Sequence, residues 1–405
     1  MEAIRLLVVL TLIVVAVRQQ YTVGVTLSVA GILTALLYQI GLFDLIGVYQ
    51  AVVTSRRFLS ITAVIVLVTI LGEMLKQLGS LEKLSIACRR LPGGNRTAVV
   101  ALPMLIGLMP MPGGALLSAP LVDNILTDKH DGAFKTIANY WFRHIVEFCW
   151  PIYPGLILSA AITHLPIGTV ALLQLPFTIV MALAGGYFFL RKVAPDPTND
   201  GNLPAAIGGI LSTLWPIAAA VLIYAIAGVD MSISVAISTL MLVVVMRPSK
   251  SVWWPAVKKG LSYRLLLMAF GILSFQAILE TSGAIRSLPT IAEALHLPDA
   301  LVIFAVCFTV GFLTGMIAAF VGLGYVLLAG FLYQPVIVPH NIMIAFFSGY
   351  LGMMVSPTHL CLVLTSEYFK IPLRAAYRVM AWPLVAMTIL AISVVLSPWP
   401  GWIVH

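Results

Sequence analysis

A short run of ionisable residues beside a proline is the strongest candidate for chemistry in this chain. Arg143, His144 and Glu147 are spaced to share one face of a predicted helix, and Pro151 follows closely. The surrounding residues are apolar, and an ionisable group in such a segment is costly unless paired or hydrated, so it indicates function. Glu147 could carry a coupling proton or contact a substrate. A buried pair with Arg143 that only holds the helix in place is the structural alternative.

A second stretch broken by proline repeats this pattern in the other half of the chain. Residues 356–359 (Ser-Pro-Thr-His) interrupt an apolar run, as residues 150–154 (Trp-Pro-Ile-Tyr-Pro) do. In both copies the next proline follows 15 residues later (166 − 151 and 372 − 357). A broken helix leaves backbone groups unpaired, so inside a membrane it persists only where protein or water covers it. Paired breaks in two halves are typical of a transporter's binding site.

The helix ends at these breaks predict an anion site. Where a helix begins, unpaired amides and the positive end of the helix dipole favour an anion. We expect such beginnings near Gly114, Pro154, Gly324 and Thr358, meeting at the middle of the bilayer. The predicted substrate-binding residues are Gly113, Gly114, Ser118, Tyr153, Pro154, Gly322, Gly324, Ser356, Thr358 and His359.

The hydroxyls of Ser356 and Thr358 could instead satisfy carbonyls of the broken helices, which is the structural alternative to substrate contact.

No arginine lies at a predicted break or hairpin tip in the sequence. The absence of a bidentate clamp favours a monocarboxylate or a small hydroxy acid over a dicarboxylate.

The composition predicts a polytopic membrane protein. Hydrophobic residues make up 61% of the 405 residues and charged residues only 9%, too few to cover a soluble globule of this size. The first two apolar runs follow each other without a small-residue cleavage site, so no removable signal peptide is predicted. The four cysteines show no CxxC spacing, which favours buried thiols over disulfides.

Ten spanning helices are predicted, five in each half, from the ~20 residues needed to cross the hydrocarbon core. They lie near 4–17, 21–41, 60–78, 134–163 and 167–190 in a first repeat (1–190), and near 204–227, 231–246, 264–283, 340–366 and 372–396 in a second (204–405). A polar linker at 191–203 separates the repeats. Polar, aromatic-rich arms at 44–60 and 251–264 are predicted to lie at the membrane surface.

Each half also holds an apolar stretch interrupted by glycine or proline, at 99–125 and 301–332. We predict re-entrant hairpins there, because these residues end helices and permit a reversal; a kinked spanning helix is the alternative. The predicted tips are Met-Pro-Gly-Gly (111–114) and Phe-Val-Gly-Leu-Gly (320–324). With hairpins, most lysines and arginines face one side, which predicts a cytoplasmic linker and both termini outside. The net charge of +8 then reports orientation, and no nucleic-acid partner is predicted.

This arrangement resembles the ion transporter superfamily, which includes the gluconate and citrate permeases, the large subunits of TRAP transporters and the dicarboxylate/sodium symporters. The strings Gly-Leu-Met-Pro-Met-Pro-Gly-Gly-Ala-Leu-Leu-Ser-Ala-Pro-Leu-Val-Asp (107–123) and Gly-Met-Met-Val-Ser-Pro-Thr-His-Leu-Cys-Leu-Val-Leu-Thr (352–365) look like an uncharacterised prokaryotic branch of it. The resemblance implies a homodimeric elevator transporter with scaffold helices at 4–41 and 204–246. The tips here replace the Ser-Asn-Thr of the sodium/dicarboxylate members.

The predicted function is therefore secondary active transport of a small organic anion, a carboxylate or sugar acid, across the prokaryotic cytoplasmic (inner) membrane. The coupling ion is H+ or Na+, at Glu147, Arg143 and His144; no other cofactor is predicted. The chain lacks HExxH, GxSxG, P-loop and CxxC motifs, so no enzyme activity is expected. A cation/proton antiporter and a channel are the alternatives.

Overall fold

The computed structural model describes residues 2–19, 21–109, 114–126, 130–194 and 201–403, and the regular structure in these ranges is helical. The first half contains α1 (Glu2–Arg18), α2 (Val23–Leu37), α3 (Leu42–Thr54), α4 (Arg56–Gln77), α5 (Ser80–Arg89), α6 (Asn95–Gly107), α7 (Gly114–Ile125), α8 (Gly132–His144), α9 (Pro154–Thr163) and α10 (Ile167–Phe188). The second half contains α11 (Leu203–Ala227), α12 (Met231–Met246), α13 (Lys250–Gly260), α14 (Tyr263–Ser282), α15 (Ser287–Ala294), α16 (Asp299–Thr314), α17 (Ile317–Ala319), α18 (Ala329–Leu332), α19 (Pro339–Met354), α20 (Leu360–Tyr368), α21 (Leu373–Val395) and α22 (Trp399–Ile403).

Within the described ranges, five helical segments are long and apolar enough to cross a membrane. They are Arg56–Gln77, Ile167–Lys192, Leu203–Ala227, Lys250–Ser282 and Leu373–Val395, and each overlaps a predicted span. The other five predicted spans are shorter helices (α1, α2 and α12) or interrupted ones (α8–α9 and α19–α20), and they remain predictions. The chain is thus an all-α, multi-pass membrane protein.

The two halves interleave through the short helices α3 and α13. Helix α3 packs on α14 of the other half, where the rings of Tyr49 and Phe270 lie 5.5 Å apart. Helix α13 packs on α4, and Nζ of Lys259 lies 2.7 Å from the Glu73 carboxylate. Each predicted arm therefore contacts a long helix of the opposite half.

A second tie between the halves lies at the turn before α12. The hydroxyl of Ser60 on α4 donates to the carboxylate of Asp230, at 2.9 and 3.1 Å to its two oxygens. Partial burial acts to raise the pKa of Asp230, but hydrogen bonds from Ser232 and Ser60 outweigh it and the pKa lies below its ordinary value. Asp230 is thus ionised at neutral pH and accepts the hydrogen bonds from Ser60 and Ser232.

The two glycine-containing stretches both form reversals, but the second turns earlier than predicted. Helices α6 and α7 pack against each other, and α16 is followed by a turn at Gly315 and Met316. The predicted tip at 320–324 is wrong, because Phe320–Tyr325 is a buried π-helical segment of the returning chain. Gly315 has a φ of 62°, which suits the turn, whereas Gly322 and Gly324 face the side chains of Ile272 and Cys307.

Candidate functional site

Two interrupted helices carry the candidate site. Helix α8 ends at His144, a 3-10 turn covers Ile145–Phe148, and α9 begins at Pro154. In the second half α19 ends at Met354 and α20 begins at Leu360. Proline lacks an amide hydrogen and suits the first turn of a helix, which explains why α9 begins at Pro154.

Each broken helix end receives a hydrogen bond from the other broken helix. The hydroxyl of Tyr350 on α19 donates to the carbonyl of His144 at 2.6 Å, and that of Tyr140 on α8 donates to the carbonyl of Met354 at 3.2 Å. Each tyrosine lies four residues before its own helix end. The last carbonyls of an α-helix have no partner within it, so these buried hydroxyls supply a donor to each helix end.

Removing the Tyr350 hydroxyl should therefore destabilise the centre of the fold. We expect Tyr350→Phe to cost about 1–3 kcal/mol, because it leaves the His144 carbonyl buried without this donor. Thermal unfolding of the purified protein in detergent measures the change. Tyr21→Phe is the matched control, since Tyr21 is 57% exposed. Equal stability of the two variants would contradict a role for Tyr350 in holding the break.

A buried ionic cluster lies at the first break. Nη1 of Arg143 donates to the Tyr153 hydroxyl at 3.2 Å and lies 3.7 Å from Oε1 of Glu147. The guanidinium also packs on Gly114, the first residue of α7, where an added Cβ would overlap it. An arginine thus does reach a hairpin tip, which corrects the sequence-based reading; the contact depends on the packing of α8 against α6 and α7.

Tyr153 links this cluster to the end of α6. Its hydroxyl oxygen lies 2.8 Å from the Gly107 carbonyl and 2.8 Å from Oε1 of Glu147. A phenol has one proton, so it can donate to only one of these two acceptors at a time. Tyr153 is also the residue immediately before α9. The Tyr153 hydroxyl, which lies at the break, therefore contacts both the end of α6 and the Arg143–Glu147 pair.

The hydroxyls of the second break satisfy backbone carbonyls. Ser356 Oγ donates to Phe312 O at 2.6 Å, and Thr358 Oγ1 donates to Leu313 O at 3.3 Å, both at the end of α16. The acceptors belong to α16 and not to the broken helix that the structural alternative named. The second hairpin is joined to its break here, as the first is through Tyr153 and Gly107.

Two histidines and a cysteine come together between the two breaks. Nε2 of His144 lies 3.1 Å from Nε2 of His359 and 3.9 Å from Oε1 of Glu147. With Cys361 the two histidines form a buried set of donor atoms that lie within 4.8 Å of one another and could hold a metal ion. The sequence analysis did not predict Cys361 as a site residue, because His144 comes from α8, far from His359 and Cys361 in the chain.

The remaining predicted site residues are distributed as follows. Pro154 begins α9, and Ser118 is buried in α7, where its hydroxyl donates to Ala115 O at 3.1 Å. Gly322 and Gly324 lie in the returning arm rather than at a helix beginning. Gly113 lies outside the described residues. Thus the structure places Gly114, Arg143, His144, Glu147, Tyr153 and His359 near one another.

The sequence analysis did not predict Tyr140 and Tyr350 as site residues. Their positions were nevertheless informative, since each lies four residues before a helix end at a break.

Comparison with curated proteins finds no match to the chain. A family described as protein of unknown function (DUF401) matches residues 3–397. The chain therefore belongs to the DUF401 family.

Proposed function

We propose that this protein is a secondary active transporter of a small organic anion, a carboxylate or sugar acid. The placement of the Arg143 guanidinium carries the proposal: it packs on the first residue of α7 and hydrogen-bonds Tyr153, which precedes the first residue of α9. Two helix beginnings and a guanidinium are three sources of positive potential for one anion. Arginine also matches the geometry of a carboxylate.

Glu147 gives this site a means of coupling to a cation. Its carboxylate lies 3.7 Å from the Arg143 guanidinium, so a substrate carboxylate must compete with it for Arg143. A coupling cation, H+ or Na+, bound at Glu147 beside His144 reduces that competition. Anion and cation then each favour binding of the other, which is the thermodynamic basis of symport.

The reciprocal tyrosine contacts support two inverted repeats, 1–190 and 204–405. Reciprocal contacts, in which each of two segments donates an equivalent hydrogen bond to the other, are typical of two-fold symmetry. Each repeat has five spans and a re-entrant hairpin. The first arm of the first hairpin, α6, has 13 residues and is about 20 Å long, shorter than the ~30 Å hydrocarbon core.

We further propose an elevator movement within a homodimer. Hydrogen bonds from Tyr153 to Gly107 and from Ser356 to Phe312 join each hairpin to its own break, which suits a single mobile unit. Helices α1, α2, α11 and α12 form the scaffold in this account. The linker 191–203 faces the cytoplasm, and both termini lie outside the prokaryotic inner membrane.

Counterflow in proteoliposomes tests the proposal. Vesicles preloaded with an unlabelled anion should transiently accumulate the labelled anion with saturable kinetics, whereas a channel gives only equilibration. Glu147→Gln should lose uptake driven by an imposed H+ or Na+ gradient but retain exchange, because substrate still binds. Glu82→Gln, at an exposed position on α5, is the control. Gradient-driven uptake by Glu147→Gln equal to that of the control would remove the coupling role.

The buried Glu147 carboxylate, 3.9 Å from Nε2 of His144, favours a cation/proton antiporter as the second candidate. A carboxylate oxygen can bind either a proton or a hard cation such as Na+ or K+. An antiporter would change the internal pH on addition of Na+ or K+ with no organic anion present. The symporter gives no such response until an anion is added.

A further inference from the structure

We propose that His144, His359 and Cys361 form a binding site for a borderline-soft divalent cation of the zinc class. The three side chains come from the two opposed breaks, His144 from the end of α8 and the other two from the start of α20. All three are buried. This site adjoins the proposed anion site, because Glu147 lies 3.9 Å from His144 and 3.7 Å from Arg143, but its test does not require transport.

The hydrogen bonds of the two imidazoles identify which ring nitrogens are available. Nδ1 of His144 lies 2.5 Å from Tyr140 O, and Nδ1 of His359 lies 2.6 Å from Gly315 O. A carbonyl oxygen only accepts, so both Nδ1 atoms carry the hydrogen. In the neutral rings both Nε2 atoms are then bare acceptors.

Those two acceptors face each other, and a positive charge between them would stabilise the contact. Nε2 of His144 and Nε2 of His359 are 3.1 Å apart, and two lone pairs at that distance repel. A shared proton or a metal ion would relieve the contact. In a tetrahedral zinc site with Zn–N bonds of ~2.0–2.1 Å, two imidazole nitrogens lie about 3.3 Å apart. The observed separation is close to that value.

Two further features favour the metal over the proton. Cys361 Sγ lies within 4.8 Å of a ring nitrogen of each histidine, and a shared proton would have no need of this third donor. Metal-bound histidines also commonly donate the other ring hydrogen to a backbone carbonyl, as both do here. Glu147 could supply a fourth ligand, because its Oε1 lies 3.9 Å from Nε2 of His144.

The donor set selects the class of ion. Two imidazoles and a thiolate suit Zn2+ and similar borderline-soft ions, whereas Ca2+ and Mg2+ require oxygen ligands. Binding converts the Cys361 thiol to a thiolate, so its proton is released to solvent as the metal enters. The bound ion would cross-link α8 to α20 and so join the two halves at their centre.

Metal loading of the full-length protein tests the site. Protein purified in detergent with a histidine-free tag is stripped with a chelator and loaded with Zn2+ or Co2+, and the bound metal is counted by mass spectrometry. We expect one ion per chain and, with Co2+, a thiolate charge-transfer band. Cys361→Ser should lose that band and weaken binding by about tenfold or more. Cys88→Ser, at a buried cysteine of α5, should change neither.

X-ray absorption of the zinc-loaded wild-type protein gives a readout that needs no variant to fold. Nitrogen and sulfur ligands in the first shell are the expected result. A wild-type protein that retains no stoichiometric metal, or zinc bound by oxygen alone, would overturn the proposal and leave the shared proton. Equal binding by wild type and Cys361→Ser would overturn it as well.

Discussion

Arg143→Gln should abolish anion uptake, with a loss on the order of 100-fold or more, because among the described residues the guanidinium is the charged donor that we place at the helix beginnings. The same change leaves the Glu147 carboxylate buried beside a neutral residue. Breaking a buried ion pair by removing one partner costs about 3–5 kcal/mol, so the variant also loses stability. Uptake and thermal unfolding are therefore measured together.

Two companion variants separate transport from folding. The double variant Arg143→Gln with Glu147→Gln removes both charges, and we expect it to regain most of the stability but none of the uptake. Arg143→Lys keeps the charge and loses the planar fork, so it should retain stability better than Arg143→Gln while still transporting poorly. Uptake by the double variant within a few-fold of wild type would rule out an anion site at Arg143.

Gly315→Ala should damage the contact between the second hairpin and its break. Gly315 has a φ of 62°, and a Cβ there would lie 2.7 Å from backbone atoms of His359. The left-handed conformation alone costs an alanine about 1–2 kcal/mol. The overlap adds about 1–3 kcal/mol as the chain shifts. Because His359 Nδ1 donates to the Gly315 carbonyl, uptake should also fall steeply.

Gly283→Ala is the control that isolates the overlap. Gly283 follows α14 with a φ of 73°, but nothing lies within 4 Å of an added Cβ. In both variants the alanine must adopt the unfavourable left-handed conformation. Only in Gly315→Ala does the added Cβ also overlap the backbone of the broken helix. Thermal unfolding and uptake of the two proteins give the comparison. Equal losses of stability and activity would mean that the hairpin contact at His359 has no special importance.

The long helices could be predicted because hydropathy and length set them directly. The span predicted at 204–227 is α11, and the one predicted at 372–396 is α21. The break after α8 was likewise expected, because Pro151 and Pro154 lie close together in one apolar run, whereas the single prolines Pro176 and Pro383 lie inside continuous helices. Features that depend on a single chain segment were thus available from the residues alone.

Features that depend on packing were not available. The contact of Arg143 with Gly114 requires α8 to lie against the hairpin, and nothing local to Arg143 indicates it. The turn at Gly315 was misplaced to Gly322 and Gly324, because glycines that turn the chain and glycines that permit close packing look alike in sequence. Only the φ angle and the neighbouring side chains distinguish them.

The measurement that bears most directly on the account is charge movement in proteoliposomes exposed to a panel of mono-, di- and tricarboxylates and sugar acids. The panel is run at two pH values, with and without Na+, for wild type and Arg143→Lys. We expect a saturable current that depends on one class of organic anion, responds to the H+ or Na+ gradient and is strongly reduced in Arg143→Lys. Silence across the panel, together with a change of internal pH on addition of Na+ or K+ alone, would contradict the anion transporter and support the antiporter.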